Sequence, residues 1–164
     1  MSVTATVAMT CTVAEILAAN TGSASAANRT CTHSLYNYAA TLNGASTPPA
    51  TKVACFEQAL VAGAATIDLT ALTGTNAGVI TMLGLKCQVV KFQAKATNSN
   101  PITITAGASN GYDLGGAAWS VVLLPGQAVM YLGNDAVEDV ASGAKTIDLA
   151  GTGTESVECV VLCG

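Results

Sequence analysis

The sequence is poor in charged, aromatic and histidine side chains, and these shortages narrow the range of possible functions. Only 10% of its 164 residues are charged, against about 25% in an average soluble protein, and only 4% are aromatic. One histidine, six basic residues and a net charge of −4 leave too little positive charge for the phosphate contacts of a nucleic-acid surface. We therefore expect no nucleic acid among its partners.

Motifs for catalysis and metal binding are also missing. The sequence has no G-x-S-x-G nucleophile elbow, no glycine-rich phosphate loop and no H-E-x-x-H zinc helix. Cys31 and His33 are close in sequence, but that spacing alone does not make a catalytic triad. Asp68 and Asp148 alternate with Ile and Leu, which places each on the outer face of a strand. We predict a protein that is not an enzyme and has no cofactor or metal.

Neither a signal peptide nor a membrane helix is expected. Residues 1–20 contain no Lys or Arg and are interrupted by threonines, unlike a secretory leader. The longest apolar run, residues 115–134, has Pro125 and Gly126 at its centre, which favours two strands and a turn over one spanning helix. We expect a soluble protein with no membrane partner.

The residues that are abundant predict an all-β fold. Apolar residues make up 51% of the chain, mostly small or aliphatic, so the chain is expected to fold. From Lys52 onward, short β-type runs alternate with Gly, Asn and Pro. About eight strands follow, at residues 53–61, 65–70, 84–96, 102–106, 118–124, 128–132, 146–149 and 156–162. Their short spacing, without helices between them, predicts an antiparallel two-sheet sandwich of the jelly-roll type.

Side-chain alternation predicts which faces of these strands lie in the core. Ile102 and Ile104 share one face of their strand, and Val157, Cys159 and Val161 share one face of theirs. In residues 85–94 the apolar positions shift by one residue. This shift indicates either a β-bulge or a strand buried on both faces.

We predict an N-terminal arm over residues 1–50, followed by a β-sandwich domain over residues 51–164. The arm contains one helical pattern, in which Thr12 caps the helix and Glu15 reaches back, so a short helix is predicted near residues 13–20. Otherwise the arm has few core-sized side chains. We expect it to pack on a neighbouring subunit.

One short segment occurs twice. Residues 63–70, GAATIDLT, are echoed by residues 143–150, GAKTIDLA. The match is too short for a repeat architecture. We interpret it as two similar strand-and-turn segments at equivalent places of the two sheets.

A series of motifs between residues 48 and 164 carries a family resemblance. The motifs are Pro49-Ala50-Thr51-Lys52-Val53, residues 65–72, residues 84–86, Asn100-Pro101-Ile102-Thr103-Ile104, residues 107–112, and Leu124-Pro125-Gly126. This series resembles small proteins encoded among the structural genes of tailed phages and prophages. The resemblance implies a β-sandwich component of the virion, of head-decoration, tail or fibre type.

The chain is short beside tailed-phage major capsid proteins, which favours an accessory capsid or tail component. Such a protein is expected to form a homo-oligomer and to contact other virion or capsid proteins. Tyr112 and Trp119 are candidate interface residues. The alternative is a secreted or cell-surface module that binds carbohydrate or protein, with residues 112–119 as its site.

The six cysteines admit either free thiols or disulfides, depending on the compartment. Cys159 and Cys163 lie four residues apart on one strand, about 13 Å, and cannot bridge each other. We expect Cys159 to be a buried thiol. Cys163 is expected to point outward and to be the candidate for a disulfide, with Cys11 or Cys31 of the arm as its partner.

Overall fold

The fold is all-β. A computed structural model describes residues 3–10, 13–17, 29–33, 38–74, 76–116 and 118–164. Within these ranges there are fourteen strands and no helix, and all strand pairings are antiparallel. The strands are β1 (Ala5–Met9), β2 (Val13–Leu17), β3 (Arg29–His33), β4 (Tyr38–Leu42), β5 (Lys52–Ala59), β6 (Ala64–Asp68), β7 (Leu72–Thr73), β8 (Val79–Ile80), β9 (Cys87–Ala94), β10 (Ile102–Ala106), β11 (Ser120–Leu123), β12 (Ala128–Leu132), β13 (Thr146–Ala150) and β14 (Ser156–Cys163).

Two four-stranded sheets contain the eight longer strands that follow residue 50. Their orders are β12-β9-β14-β5 and β11-β10-β13-β6. Three two-stranded sheets complete the described chain: β1 with β4, β2 with β3, and β7 with β8. The prediction of an all-β, antiparallel fold is thus confirmed.

The chain divides into two compact units. The smaller spans Thr4–Leu42, and the larger contains Asn43–Gly164 together with Val3. The larger unit includes a segment before β5 that is tied to the sheet. The Thr51 amide donates to the Cys163 carbonyl at 2.9 Å, and Gln88 Nε2 donates to the carbonyls of Pro48 and Pro49 at 2.7 and 2.8 Å.

The hydrophobic core draws on both four-stranded sheets. Phe92 and Val161 come from one sheet, Ile104 and Ile147 from the other, and none of these four side chains has measurable exposure. The predicted inward faces are confirmed, since Ile102, Val157 and Cys159 are also buried.

Each of the eight strands predicted from the sequence overlaps one of the strands β5, β6 and β9–β14. The sequence pattern missed β7 and β8, which have two residues each, and the strands of the arm.

The predicted helix near residues 13–20 is wrong over the part that the structure describes. Residues Val13–Leu17 form β2, and each of them pairs with a residue of Arg29–His33. The capping pattern at Glu15 is a local signal, whereas β-branched Val13 and Ile16 favour a strand once a pairing partner is available. Residues 18–20 and Thr12 lie outside the described ranges.

The repeated segments are neighbours in one sheet, which corrects the interpretation that they occupy two different sheets. β6 and β13 pair directly, with Ile67 opposite Ile147. Each strand is preceded by a tight four-residue turn, Val61 to Ala64 in one copy and Ala141 to Ala144 in the other. The repeat therefore encodes one turn-and-strand unit twice.

Candidate functional site

The two candidate interface aromatics lie inside the larger unit. The Tyr112 side chain is fully buried, and Trp119 is 8% exposed. Trp119 Nε1 donates to the Tyr112 carbonyl at 3.0 Å, and its ring packs edge-on against Tyr131 with 5.5 Å between centroids. This packing leaves little of either ring for a partner to contact. Their interface role stays a prediction.

The Tyr112 hydroxyl connects two loops to strand β9. It donates to the Glu138 carbonyl at 2.8 Å and accepts the Cys87 amide at 3.2 Å. The Glu138 carboxylate in turn accepts the Asp113 amide at 2.8 Å. Burial, followed by the neighbouring Cys87, raises the pKa of Tyr112 above its ordinary value, so the phenol stays protonated as a donor.

A β-bulge in β9 lies beside this hydroxyl. It accounts for the one-residue shift of the apolar positions in residues 85–94. Leu162 of β14 is opposite Val89, but the next residue, Cys163, is opposite Cys87, which leaves Gln88 without a partner on β14. The bulge brings Cys87 into the same core as Val90. Cys87 through Val90 are all buried. The β-bulge and burial on both faces of the strand, which the sequence offered as alternatives, therefore both occur.

Cys159 lies where the sequence predicted, whereas Cys163 does not. Cys159 is buried, as predicted, and burial raises the pKa of its thiol to about 12. Cys163 is also fully buried, so the expectation that it points outward is wrong. Its Sγ lies 3.2 Å from Cys87 Sγ, a partner that the sequence analysis did not identify. The shift in the sequence marks the bulge beside this contact but does not identify the partner.

The predicted bridge from Cys163 to the arm stays a prediction. Cys11 and the side chain of Cys31 lie outside the part of the chain that the structure describes.

Asp68 and Asp148 each make their own structural contacts. Asp68 accepts hydrogen bonds from the Thr70 amide and hydroxyl, and forms an ion pair with Lys145 at 2.8 Å. Asp148 accepts the Thr66 hydroxyl at 2.6 Å and the Ala108 amide at 2.8 Å. These bonds hold turns and neighbouring strands in place, and they give both carboxylates a structural role.

Exposed apolar side chains occur at several places on the larger unit. Val61 and Val79 are each 78% exposed, and Leu83, Val122 and Leu124 are more than half exposed. Val79 borders a groove of about 460 Å³ at the start of β5, lined by Val3, Thr51, Lys52, Val53, Ile80 and Thr81. No sequence pattern marks these residues as exposed, because Val79 and Leu83 lie outside the strands predicted from the sequence and Val61, Val122 and Leu124 lie at the ends or on the outer faces of predicted strands.

A second groove of about 380 Å³ has both polar and apolar side chains in its lining. Its lining includes Asp113, Asn134 and Glu138, together with Leu114 and Val137.

Among the residues that the structure describes, no three His, Cys, Asp or Glu side chains are grouped so that they could hold a metal ion. In the same part of the chain, no helix is long and apolar enough to cross a membrane.

Comparison with protein-family models, with curated proteins and with solved structures finds no match to this chain.

Proposed function

We propose that the chain is a structural protein of a virion, an accessory capsid or tail component that assembles with copies of itself and contacts other virion proteins. The observation that carries this proposal is the pairing order of the eight longer strands. The first pairs with the last, β5 with β14, and the second with the seventh, β6 with β13. The third pairs with the sixth, β9 with β12, and the fourth with the fifth, β10 with β11.

This nested order supports a jelly-roll sandwich. A long antiparallel hairpin rolled into two facing sheets produces these pairs, and the jelly roll is common in viral capsid and lectin domains. The core shared by the two four-stranded sheets fits the same arrangement. The sequence resemblance to phage structural proteins points to the capsid rather than the lectin group.

Surface composition supports self-assembly. Only 10% of the residues are charged, and Val61 and Val79 expose most of their apolar surface to solvent. Apolar groups at a subunit interface are stabilised by removal from water. We propose that the Val79 surface contacts a second copy of the chain, and that the part of the arm before Asn43 also packs on a neighbour, since residues 43–50 belong to the larger unit.

A charge placed at Val79 tests this proposal. Val79→Asp should weaken self-association, because the interface would have to desolvate a carboxylate. Thr152→Asp is the matched control, since Thr152 lies at an exposed turn between β13 and β14. Sedimentation velocity over a range of concentrations measures both. Equal association of the two variants would remove the Val79 surface from the proposal.

The alternative function, a secreted or cell-surface binding module, is favoured by one observation, the groove bordered by Asp113, Asn134 and Glu138. Carboxylate and amide groups that line a groove can bind sugar hydroxyls. Burial of Tyr112 and Trp119 removes the exposed aromatic platform that such a site was expected to use. Binding of the monomer to a glycan array, lost in Glu138→Gln, would favour this alternative.

A further inference from the structure

Cys87 and Cys163 have the backbone relationship that places two side chains of an antiparallel pair closest together. Their neighbours Lys86 and Gly164 exchange both hydrogen bonds, each 3.1 Å from amide nitrogen to carbonyl oxygen. The adjacent pair is therefore of the non-hydrogen-bonded kind, in which Cα atoms lie about 4.5 Å apart. That separation falls within the range of about 4.4–6.8 Å that a disulfide requires.

The backbone polar groups of the pair are already bonded elsewhere. The Cys87 amide donates to the Tyr112 hydroxyl, and the Cys163 carbonyl accepts the Thr51 amide. No backbone bond between Cys87 and Cys163 has to break for their sulfurs to join. The two Sγ atoms are 3.2 Å apart, about 1.2 Å more than the length of a disulfide bond.

The bulge at Gln88 is what makes the two thiols meet. Without the extra residue, Cys87 would share a face with Val89, which lies outside the core cluster. With it, both cysteines lie in the core beside Val90. Gln88 fixes the bulge by donating to the Pro48 and Pro49 carbonyls.

We propose that Cys87 and Cys163 are a redox site that closes into an intramolecular disulfide by exchange with a low-molecular-weight disulfide. The thiolate of one cysteine attacks the small disulfide, forming a mixed disulfide and releasing one small thiol. The second cysteine thiolate attacks the protein sulfur of that mixed disulfide and releases the other small thiol. Two protein thiols and one small disulfide thus become one protein disulfide and two small thiols.

Burial controls when this exchange occurs. Both side chains are at most 1% exposed, and the contact with Cys87, followed by burial, raises the pKa of Cys163. A protonated, covered thiol is a poor nucleophile. We therefore expect closure during folding, or when the end of β14 opens, and slow oxidation of the folded, reduced protein.

The bridge would link positions 76 residues apart in sequence and tie β14 to β9 within their sheet. A link over so long a loop restricts the unfolded chain strongly, and we expect the midpoint of thermal unfolding to rise by about 10 °C.

The experiment refolds the full chain in a glutathione redox buffer, with a parallel sample kept in dithiothreitol. Peptide mapping under non-reducing conditions should show one peptide pair joined through Cys87 and Cys163, with a mass decrease of two hydrogens. The thermal midpoint of the oxidised sample should exceed that of the reduced one by about 10 °C. This difference should disappear in Cys87→Ala and Cys163→Ala.

Cys159→Ala is the matched control, because Cys159 is buried in the same core and on the same strand as Cys163. It should keep both the bridge and the redox-dependent midpoint. The mapping of the unsubstituted chain decides the matter even if a variant fails to fold. Free Cys87 and Cys163 after oxidative refolding, or a bond from Cys163 to Cys11 or Cys31, would overturn the proposal.

Discussion

Ile67 and Ile147 lie directly opposite each other on β6 and β13, at the centre of the two repeated segments. Both are buried, and each follows a tight turn that is itself preceded by a buried residue, Leu60 in one copy and Val140 in the other. Two similar segments thus form the same kind of turn followed by a strand. Antiparallel pairing relates the two copies by an approximate twofold rotation within one sheet.

The core prediction concerns two adjacent residues of β10. Ile104→Asp should unfold the larger unit, because a buried carboxylate without a partner costs several kcal/mol against a total stability of about 5–15 kcal/mol. Thr103→Asp is the control, since Thr103 is half-buried on the opposite face of the strand. Circular dichroism with urea titration compares them. A folded Ile104→Asp variant would show that Ile104 is not a core residue.

The Tyr112 hydroxyl is expected to stabilise the fold through its two hydrogen bonds. Tyr112→Phe should lower the free energy of unfolding by about 1–3 kcal/mol, because the Cys87 amide and the Glu138 carbonyl both lose their partner. Tyr38→Phe is the control, because Tyr38 is 46% exposed, and its effect should stay within about 0.5 kcal/mol. Chemical denaturation measures both. Equal stabilities would contradict the bonding described for Tyr112.

Asp68 should contribute a small, pH-dependent part of the stability. Burial alone would raise the pKa of Asp68, but hydrogen bonds from Lys145 and Thr70 outweigh it and lower the pKa. Because the folded pKa is the lower one, the contribution is present above the ordinary Asp pKa of about 3.9 and is lost as pH falls through the folded value.

We therefore expect Asp68→Asn to cost less than about 1 kcal/mol at neutral pH, and less still in acid. Urea midpoints of the variant and the unsubstituted chain, compared from neutral pH down to acid, test this. A difference that grows on acidification would show that the sign is wrong.

Local sequence patterns predicted the eight longer strands of the larger unit and missed the two-residue strands β7 and β8. Alternation identifies the strand that contains Ile102 and Ile104, and a turn is marked by Pro125 and Gly126. Both signals come from residues that are adjacent in sequence, so they can be recognised without knowing the pairing partner. β2 could not be predicted in this way, because its partner begins at Arg29 and the local pattern around Glu15 favours a helix.

Contacts between residues distant in sequence could not be predicted either. The shift within residues 85–94 indicated a bulge, but nothing in the sequence near Cys87 points to Cys163. The repeat likewise identified Ile67 and Ile147 as equivalent without showing that they face each other. Nor does the sequence show that Tyr112 and Trp119 are buried, because the side chains that cover them come from elements distant along the chain.

The arm can be tested by two truncations. A chain starting at Asn43 keeps Ala50 and the carbonyls of Pro48 and Pro49, which bond Gln88, so we expect it to fold normally and to lose assembly. A chain starting at Lys52 loses those contacts as well and should be less stable. Thermal unfolding and size-exclusion chromatography separate the two effects. Normal assembly of the chain that starts at Asn43 would show that residues 1–42 are not needed for the interface.

Self-assembly is tested most directly by the molar mass of the unsubstituted full chain, measured by light scattering after size-exclusion chromatography and accompanied by negative-stain microscopy. We expect a mass that is an integral multiple of the monomer, with symmetric rings, tubes or shells on the grid. A species that remains monomeric at every concentration, with no particles visible, would contradict a virion structural role.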